Sequence, residues 1–297
     1  MRRCACRTGQ ASQFPFTSTL ASDSPQLDYC REQPTTVRHR GQIKLLLSEM
    51  TFLQPFRHTP HTVVYAGAAP GLHISILAAM FSDMHFILID PHPSAIADGD
   101  LPNVVTLSVC MTDQLAEELE SRGGNVLFIS DVRVGIPLED EPNELPRDHQ
   151  IRVHTDMMAQ MGWYLKLKPK AGLLKIRLPW DLEPQTHYFQ GTILLPIFGR
   201  PYTHESRLLV TGPTPPIIPY NNSTYERQMA HFNRVLRPAT YAHSRCYDCT
   251  AFTAIVAQYM GEGAHHGAVR GECRRIEKEL ARITAEWMEV VEKLNVL

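Results

Sequence analysis

The chain has 297 residues, of which 43% are hydrophobic, so it is long enough to bury a large core in one α/β domain or two small ones. Its 29 Lys and Arg against 31 Asp and Glu give a net charge of −2, so any contact with nucleic acid must come from a local basic patch. No run of about 18 apolar residues is present, which predicts no membrane partner. Seven cysteines, an odd number, are not typical of a disulfide framework, and we expect a soluble, cytoplasmic protein.

The first half of the chain alternates between strand-like and helical patterns. Residues 1–35 lack an apolar period and predict an irregular arm, whereas Gly41 to Pro55 carry apolar residues at helical spacing. The predicted strands that follow are Thr62–Ala66, Phe86–Asp90, Val104–Val109, Val126–Ser130 and Leu173–Leu178. Because helical stretches separate several of these strands, the pattern predicts a mostly parallel, doubly wound α/β sheet.

After Pro179 the pattern changes. The runs 192–198 and 207–211 leave little room for a crossover helix, so they predict an antiparallel hairpin at one edge of the sheet. A Pro-rich loop at 213–219 and a short helix at 225–236 follow. The expected division is an arm over 1–35, a main domain over 36–260, a Gly-rich linker over 261–271 and an amphipathic helix over 272–297. That last helix either docks a partner or, as most such helices do, packs on its own domain.

The first predicted strand runs into a turn with two glycines, Gly67 and Gly71. Glycines at the carboxyl end of the first strand let the backbone approach a cofactor, and the G-x-x-x-G spacing favours a ligand without a pyrophosphate. Nineteen residues after Gly71, Asp90 closes the second strand, where such folds hold a ribose diol. The pair predicts a nucleoside cofactor such as S-adenosylmethionine; the alternative is a plain strand-to-helix connection with Asp90 as a cap.

Four charged residues lie in or beside apolar segments: Lys44, Asp131, Lys175 and Glu205. A buried charge is costly unless a partner neutralises it, so we expect the two lysines and two carboxylates to meet in one cleft. The alternative is four unrelated charges at strand ends on the surface. Cys246 and Cys249 form a C-x-x-C, but a structural zinc site needs four ligands, so we predict two small core residues and no metal.

Four motifs follow one another in the chain: Gly41-Gln-Ile-Lys-Leu-Leu-Leu-Ser-Glu49, Val63-Val-Tyr-Ala-Gly-Ala-Ala-Pro-Gly-Leu-His73, Ile129-Ser-Asp-Val-Arg133 and Glu205-Ser-Arg-Leu-Leu209. In this order and spacing they resemble the poxvirus cap-specific mRNA 2′-O-methyltransferases, which also serve as the small, processivity subunit of poly(A) polymerase. The resemblance runs from about Leu27 to Met260. It implies a Rossmann-like, S-adenosylmethionine-dependent methyltransferase with an antiparallel edge hairpin and flanking helices, located in the cytoplasm, in a viral factory or in a virion.

The same resemblance implies a catalytic Lys-Asp-Lys-Glu tetrad formed by Lys44, Asp131, Lys175 and Glu205. A ribose 2′-hydroxyl is a poor nucleophile, so a neighbouring group has to take its proton or hold its oxygen in line with the methyl group. Lys175 is the expected base, and burial and the like charge of Lys44 would favour its neutral form. Asp131 and Glu205 would orient the two amines, and the methyl group would transfer directly, without a covalent enzyme intermediate.

The cofactor shell implied by the resemblance comprises Gln42, Tyr65, Gly67, Ala68, Gly71, His73, Asp90, His92, Met111, Asp131 and Val132. Two positions depart from the family pattern. His92 stands where the family has an arginine, and Cys110 with Met111 replaces a bulkier, aromatic-containing pair beside the adenine. Both departures predict weaker binding of S-adenosylmethionine rather than its loss.

The resemblance also implies a pocket for the 7-methylguanosine cap, formed by Tyr29, Trp180, Asp181, Tyr202 and Glu226. Aromatic rings would sandwich the positively charged base, and carboxylates would accept its N1 and N2 protons. The segment Pro179-Trp180-Asp181 is one residue shorter than the family pattern, and Trp180 could instead be a core or lid aromatic.

Basic residues expected at the RNA are Arg133, Arg177 and Arg207. The run Lys166-Leu-Lys-Pro-Lys170 is denser in charge, but such a run is more often a solvated face than an RNA contact. Three functions compete: a cap 2′-O-methyltransferase acting on capped mRNA, a non-catalytic processivity subunit bound to a poly(A) polymerase catalytic subunit, and a methyltransferase for another RNA position or a small molecule. The intact tetrad favours the first, because a scaffold has no need of two buried lysines.

Overall fold

The computed structural model describes residues 16–29, 40–133, 147–179, 183–200, 202–241 and 245–295. The strands are β1 (Thr62–Ala66), β2 (His85–Ile89), β3 (Val104–Leu107), β4 (Val126–Ser130), β5 (Ala171–Ile176), β6 (Gln185–Phe189), β7 (Thr192–Leu194), β8 (Ser206–Thr211), β9 (Ile217–Asn221), β10 (Thr240–Tyr241) and β11 (Arg245–Cys246). The helices are α1 (Gly41–Leu53), α2 (Ile74–Met80), α3 (Asp113–Ser121), α4 (Arg147–Leu167), α5 (Asn222–His231), α6 (Tyr247–Met260) and α7 (His266–Asn295). None of these helices is long and apolar enough to span a bilayer.

Seven strands form one sheet in the order β3-β2-β1-β4-β5-β8-β7. The five strands from β1 to β5 are parallel to one another. β8 is antiparallel to both β5 and β7, which confirms the predicted α/β fold with an antiparallel edge. In such a sheet the carboxyl ends of the parallel strands share one edge, and ligands bind there.

The central strands are buried on both faces. Every residue of β4 and β5 is buried, which explains why these strands read as continuous apolar runs rather than as an alternating pattern. The helices pack in two groups, with α3 on α4 and with α1, α2 and α6 around α7. The terminal helix therefore packs on its own domain.

Some boundaries differ from the sequence-based expectation. β7 ends at Leu194 instead of Phe198, and β9 occupies part of the predicted Pro-rich loop, with Pro219 opposite His187 in a two-stranded ribbon. An edge strand tolerates a proline because its missing N–H is not needed by a second neighbour. α7 begins at His266, six residues before the predicted start at 272, since buried Val269 already anchors its first turn.

Part of the predicted N-terminal arm is attached to the domain. The Leu20 N–H donates to the Ile193 carbonyl at 2.9 Å, and the Leu27 N–H donates to the Arg227 carbonyl at 3.0 Å. The Gln228 side-chain amide on α5 donates to the Ser22 carbonyl at 3.0 Å. These contacts bring Tyr29, at the end of this segment, close to α5.

Candidate active site

The glycine turn after β1 is packed directly against the end of β4. Gly67 has φ +78°, and a Cβ there would lie 2.7 Å from the Val132 nitrogen and 2.9 Å from the Asp131 carbonyl carbon. Gly71 has φ +65°, and a Cβ there would lie 2.8 Å from the Ala68 oxygen. Only glycine fits both positions without moving backbone, so the turn forms a tight cradle at the carboxyl edge of the sheet.

Asp90 follows β2 at the same edge. Its carboxylate accepts the Ala69 N–H at 3.1 Å and the His92 N–H at 2.9 Å, so it links the glycine turn to the loop after β2. A carboxylate has about four lone-pair positions, which leaves acceptor capacity for a diol. Met111 is buried and Cys110 is exposed close by in the chain, after β3.

Strand register explains how the predicted tetrad assembles. Ser130 of β4 pairs with Leu174 of β5, so the next residues along these parallel strands, Asp131 and Lys175, are neighbours. Lys175 lies directly opposite Arg207 of β8 in the antiparallel pair. Glu205 lies just before β8, and Lys44 reaches the cluster from α1.

The four predicted side chains are in contact. The Lys175 Nζ lies 3.1 Å from Asp131 Oδ1 and 3.5 Å from Glu205 Oε2, and it also donates to the Asp131 carbonyl at 3.3 Å. The Lys44 Nζ donates to Glu205 Oε1 at 3.0 Å. The exposed fractions of these side chains are between 10% and 21%, so the cluster is largely buried but open to a cleft.

Arg207, predicted to contact RNA, is a fifth member of this cluster. Its guanidinium pairs with Asp131, and it lies 3.5 Å from Glu205 Oε1. Only 6% of the residue is exposed. Three cations, Lys44, Lys175 and Arg207, therefore lie within 3.5 Å of at least one of the two carboxylates, an imbalance that becomes visible only once the β5–β8 register is known.

The imbalance sets the protonation states. Burial by itself would raise the pKa of Asp131, but Arg207 and Lys175 outweigh it, and the pKa is lowered. Burial would likewise raise the pKa of Glu205, but Lys175 and Lys44 outweigh it and bring this pKa well below its usual value. Burial lowers the pKa of Lys44. Both carboxylates thus stay ionised near neutral pH, while Lys44 is easier to deprotonate than a surface lysine.

Two buried polar residues that the sequence did not single out support these side chains. Gln160 of α4 is fully buried; its Oε1 accepts the Lys175 N–H at 3.1 Å, and its amide donates to the Lys175 carbonyl at 3.3 Å. Glu49 of α1 accepts hydrogen bonds from Tyr65 and His73, two predicted cofactor residues. Neither position stands out from the apolar pattern of its helix.

Of the residues predicted to bind a cap, Tyr29 lies near the cluster, because it packs on His204, which directly precedes Glu205. The Tyr29 ring packs on the His204 ring with centroids 5.1 Å apart. Tyr202 is 44% exposed, and Glu226 is half-buried on α5 next to Tyr225, whose hydroxyl donates to the His204 carbonyl at 2.6 Å. Trp180 and Asp181 lie outside the described residues.

The remaining basic residues divide into two groups. Arg133 and Arg177 are within the cleft: Arg133 lies 3.9 Å from Glu205, and Arg177 contacts His149 Nε2 at 2.7 Å, with burial lowering the Arg177 pKa to about 10. The lysine run instead precedes β5, at the opposite edge of the sheet. Lys166 pairs with Glu117, and Lys168 with Glu120, both on α3.

Cys246 directly precedes α6, and Cys249 lies in its first turn. Within the described ranges, no three His, Cys, Asp or Glu side chains are grouped as metal ligands.

Comparisons with known proteins give a consistent result. The sequence profile of the family described as "Poly A polymerase regulatory subunit" matches residues 16–254. The chain is 30% identical over 225 residues to the "Cap-specific mRNA (nucleoside-2'-O-)-methyltransferase" of Myxoma virus (strain Lausanne), which covers 69% of this chain and 64% of that relative's length. It is 29% identical over 244 residues to the Fowlpox virus (strain NVSL) protein of the same name, covering 76% and 77%.

Among solved structures, the bluetongue virus VP4 structure, which is described as revealing a multifunctional RNA-capping production line, aligns with a TM-score of 0.48 and 15% identity. The alignment covers 74% of this chain and 37% of that one. A likeness of this size carries no argument about the site.

Proposed function

Since this chain belongs to the poly(A) polymerase regulatory subunit family, we propose that it is a cap-specific mRNA 2′-O-methyltransferase. It would move a methyl group from S-adenosylmethionine to the ribose 2′-hydroxyl of the first transcribed nucleotide of 7-methylguanosine-capped RNA. The observation that carries the proposal is the cluster of Lys44, Asp131, Lys175 and Glu205 beside the glycine turn. It combines a candidate base with ionised carboxylates at the edge of the sheet where cofactors bind.

The residues around the glycine turn fit S-adenosylmethionine. The close packing that excludes a Cβ at Gly67 and Gly71 leaves backbone, rather than side chains, to face a ligand. Asp90 would accept the ribose hydroxyls. The other residues proposed to hold the cofactor are Gln42, Tyr65, Ala68, His73, His92, Met111, Asp131 and Val132. When bound, S-adenosylmethionine supplies a methyl group activated by its sulfonium.

Lys175 would act on the 2′-hydroxyl. Its Nζ makes one short contact, to Asp131 Oδ1, and two longer ones at 3.3 and 3.5 Å. The longer contacts are weaker, so replacing one of them with a contact to the substrate oxygen would cost less free energy. The shorter contact to Asp131 Oδ1 would keep the amine in place. In its neutral form the amine can accept the hydroxyl proton as the oxygen attacks. Lys44 and Arg207 hold Glu205, so the carboxylate stays aligned during the exchange.

The cap would bind on Tyr29, beside His204. The other residues proposed to contact it are Trp180, Asp181, Tyr202 and Glu226. Arg133 and Arg177 line the same cleft and would contact the RNA phosphates that follow the cap. Arg207 would act within the charged cluster. Capped mRNA is therefore the proposed substrate.

The first experiment is methyl transfer from labelled S-adenosylmethionine to a short RNA with a 7-methylguanosine cap and to the same RNA without it. Lys175→Ala should abolish incorporation, whereas the control Lys168→Gln, in the ion-paired surface run, should not change it. Incorporation into capped RNA alone supports the proposal. No incorporation by folded protein that binds S-adenosylmethionine contradicts it and favours another substrate.

The family description favours a second role, binding to a poly(A) polymerase catalytic subunit. If such a subunit synthesises longer poly(A) tails, without dissociating between additions, when this protein is added, the result would support that role. Lys175→Ala should keep this effect, because binding a partner does not require the catalytic amine.

A further inference from the structure

A closed polar network lies beneath the glycine turn. The Glu49 carboxylate accepts the Tyr65 hydroxyl at 2.7 Å and the His73 Nε2 at 2.8 Å. The other ring nitrogen of His73 lies 2.8 Å from the side-chain amide of Gln42. Glu49, Tyr65 and His73 are each only 1% exposed. Within the described residues no Lys or Arg lies within ion-pair distance of this carboxylate, although Arg207 interacts with it at longer range, so its hydrogen bonds come from Tyr65 and His73.

Helix α1 supplies both ends of this network. Gln42 and Glu49 are seven residues apart, two helical turns, and therefore share one face, which contacts His73 at the start of α2. Lys44 is on another face of the same helix and contacts Glu205. One rigid helix thus holds a tetrad lysine on one side and the buried network on the other.

The position of this network indicates that it would serve the amino-acid end of S-adenosylmethionine. Asp90 is the candidate for the ribose diol, and the sulfonium has to face the tetrad for the methyl group to reach the RNA. The amino-acid end of S-adenosylmethionine would then lie on the α1 side of the glycine turn, where Gln42 contacts His73.

We propose that Glu49 is a positioning residue for the methyl donor. It fixes Tyr65 and His73, and through His73 the Gln42 amide, in the orientation that binds the amino-acid end of S-adenosylmethionine. The inference rests on the proposed function, because it needs that cofactor. It makes Glu49 a determinant of donor affinity rather than of RNA affinity.

Calorimetric titration with S-adenosylmethionine tests this. Glu49→Ala leaves two buried donors without an acceptor, and we expect the Kd to rise roughly tenfold or more. Glu49→Gln keeps the shape and one acceptor oxygen and should recover most of the affinity. Thr51→Val, on the same helix, removes only a bond to the Leu47 carbonyl and should leave the Kd unchanged. In steady-state assays the KM for S-adenosylmethionine should rise while the KM for capped RNA stays constant.

If Glu49→Ala does not fold, a double-mutant cycle of Glu49→Asp, which withdraws the carboxylate by one methylene, and Gln42→Ala gives the answer. Residues in one network should show non-additive changes in the Kd, whereas additive changes would overturn the inference. A Kd within twofold of wild type in folded Glu49→Ala would overturn it as well, even if its Tm falls. Wild-type protein that fails to bind S-adenosylmethionine would overturn the proposed function together with this inference; binding by wild type and by Glu49→Ala alike would remove the inference alone.

Discussion

Two buried charge clusters in this protein follow different rules. Arg237 and Asp248 form a closed pair: the guanidinium donates to both carboxylate oxygens at 3.1 to 3.2 Å and to the Gly199 and Arg200 carbonyls, and only 1% of Arg237 is exposed. The tetrad cluster is open. Its side chains reach 21% exposure, and several of its contacts are 3.3 Å or longer.

The pKa directions show the same difference. Burial raises the pKa of Asp248 even though Arg237 lies beside it, because one cation does not outweigh the loss of water. The pKa values of Asp131 and Glu205 are lowered because Lys44, Lys175 and Arg207 act on both carboxylates, and Arg133 also acts on Glu205. Removing one partner of a closed buried pair leaves the other charge unpaired, whereas a cluster with surplus positive charge and partial exposure retains bonding capacity for a substrate.

The largest effect is expected for Glu205→Gln in the tetrad cluster. The change removes the charge that holds Lys44, Lys175 and Arg207 together, and we expect methyl transfer to capped RNA to fall by about 10²–10⁴. Because the pKa of Glu205 is lowered in the folded protein, its charge also stabilises the fold near neutral pH, so urea unfolding should show a smaller free energy of unfolding as well. A variant that loses stability but keeps its turnover number would show that Glu205 is as structural as Asp248.

Asp248→Asn is the matched change in the closed pair. It leaves Arg237 charged, buried and only partly satisfied, so we expect the free energy of unfolding to fall by about 3–5 kcal/mol. The folded fraction should retain its turnover number, since the pair does not touch the tetrad. Urea denaturation gives the first quantity, and an assay corrected for the folded fraction gives the second. A stable but inactive variant would contradict the division into two clusters.

The sequence predicts the four tetrad residues and the strands from β1 to β5, but it does not predict that Arg207 joins the tetrad cluster. The strands from β1 to β5 could be placed because continuous apolar runs report burial, and Lys44, Asp131, Lys175 and Glu205 are conspicuous within such runs. Arg207 could not be assigned to the cluster, because that needs the antiparallel register that places it opposite Lys175.

Other features could not be predicted from the sequence, for reasons particular to each segment. Glu49 is one polar residue in a helix whose exposed positions are also polar, so only the fold shows that it is buried. β9 contains Pro219, which argues against a strand until its position in an edge ribbon is known. α6 is apolar around much of its surface, which makes its period weak.

His204, which directly precedes Glu205, should make the free energy of unfolding depend on pH. Burial lowers its pKa to about 3, so it stays neutral in the folded protein, while the unfolded chain binds a proton near the usual pKa of 6.5. The free energy of unfolding is therefore unaffected by this histidine above pH 6.5, and it decreases by about 1.4 kcal/mol per pH unit as the pH falls from 6.5 toward 3. Urea unfolding at pH 7, 6 and 5 should show a smaller loss for His204→Gln than for wild type. Equal slopes, with exposed His92→Gln as the control, would mean that His204 is accessible to protons.

The smallest effect is expected at the opposite edge of the sheet, where charge is dense but exposed. Lys168 pairs with Glu120 at 2.9 Å, yet the two side chains are 57% and 38% exposed, so water screens the pair. Lys168→Gln should change the free energy of unfolding by less than about 1 kcal/mol. It should also leave the salt dependence of capped-RNA binding unchanged, because this lysine already faces an acidic helix and lies away from the cleft. A decrease of about one in the slope of log Kd against log salt would show that the lysine contacts a phosphate. The RNA would then extend from the cleft to the far edge of the sheet, and exposure alone would no longer separate structural charge from functional charge.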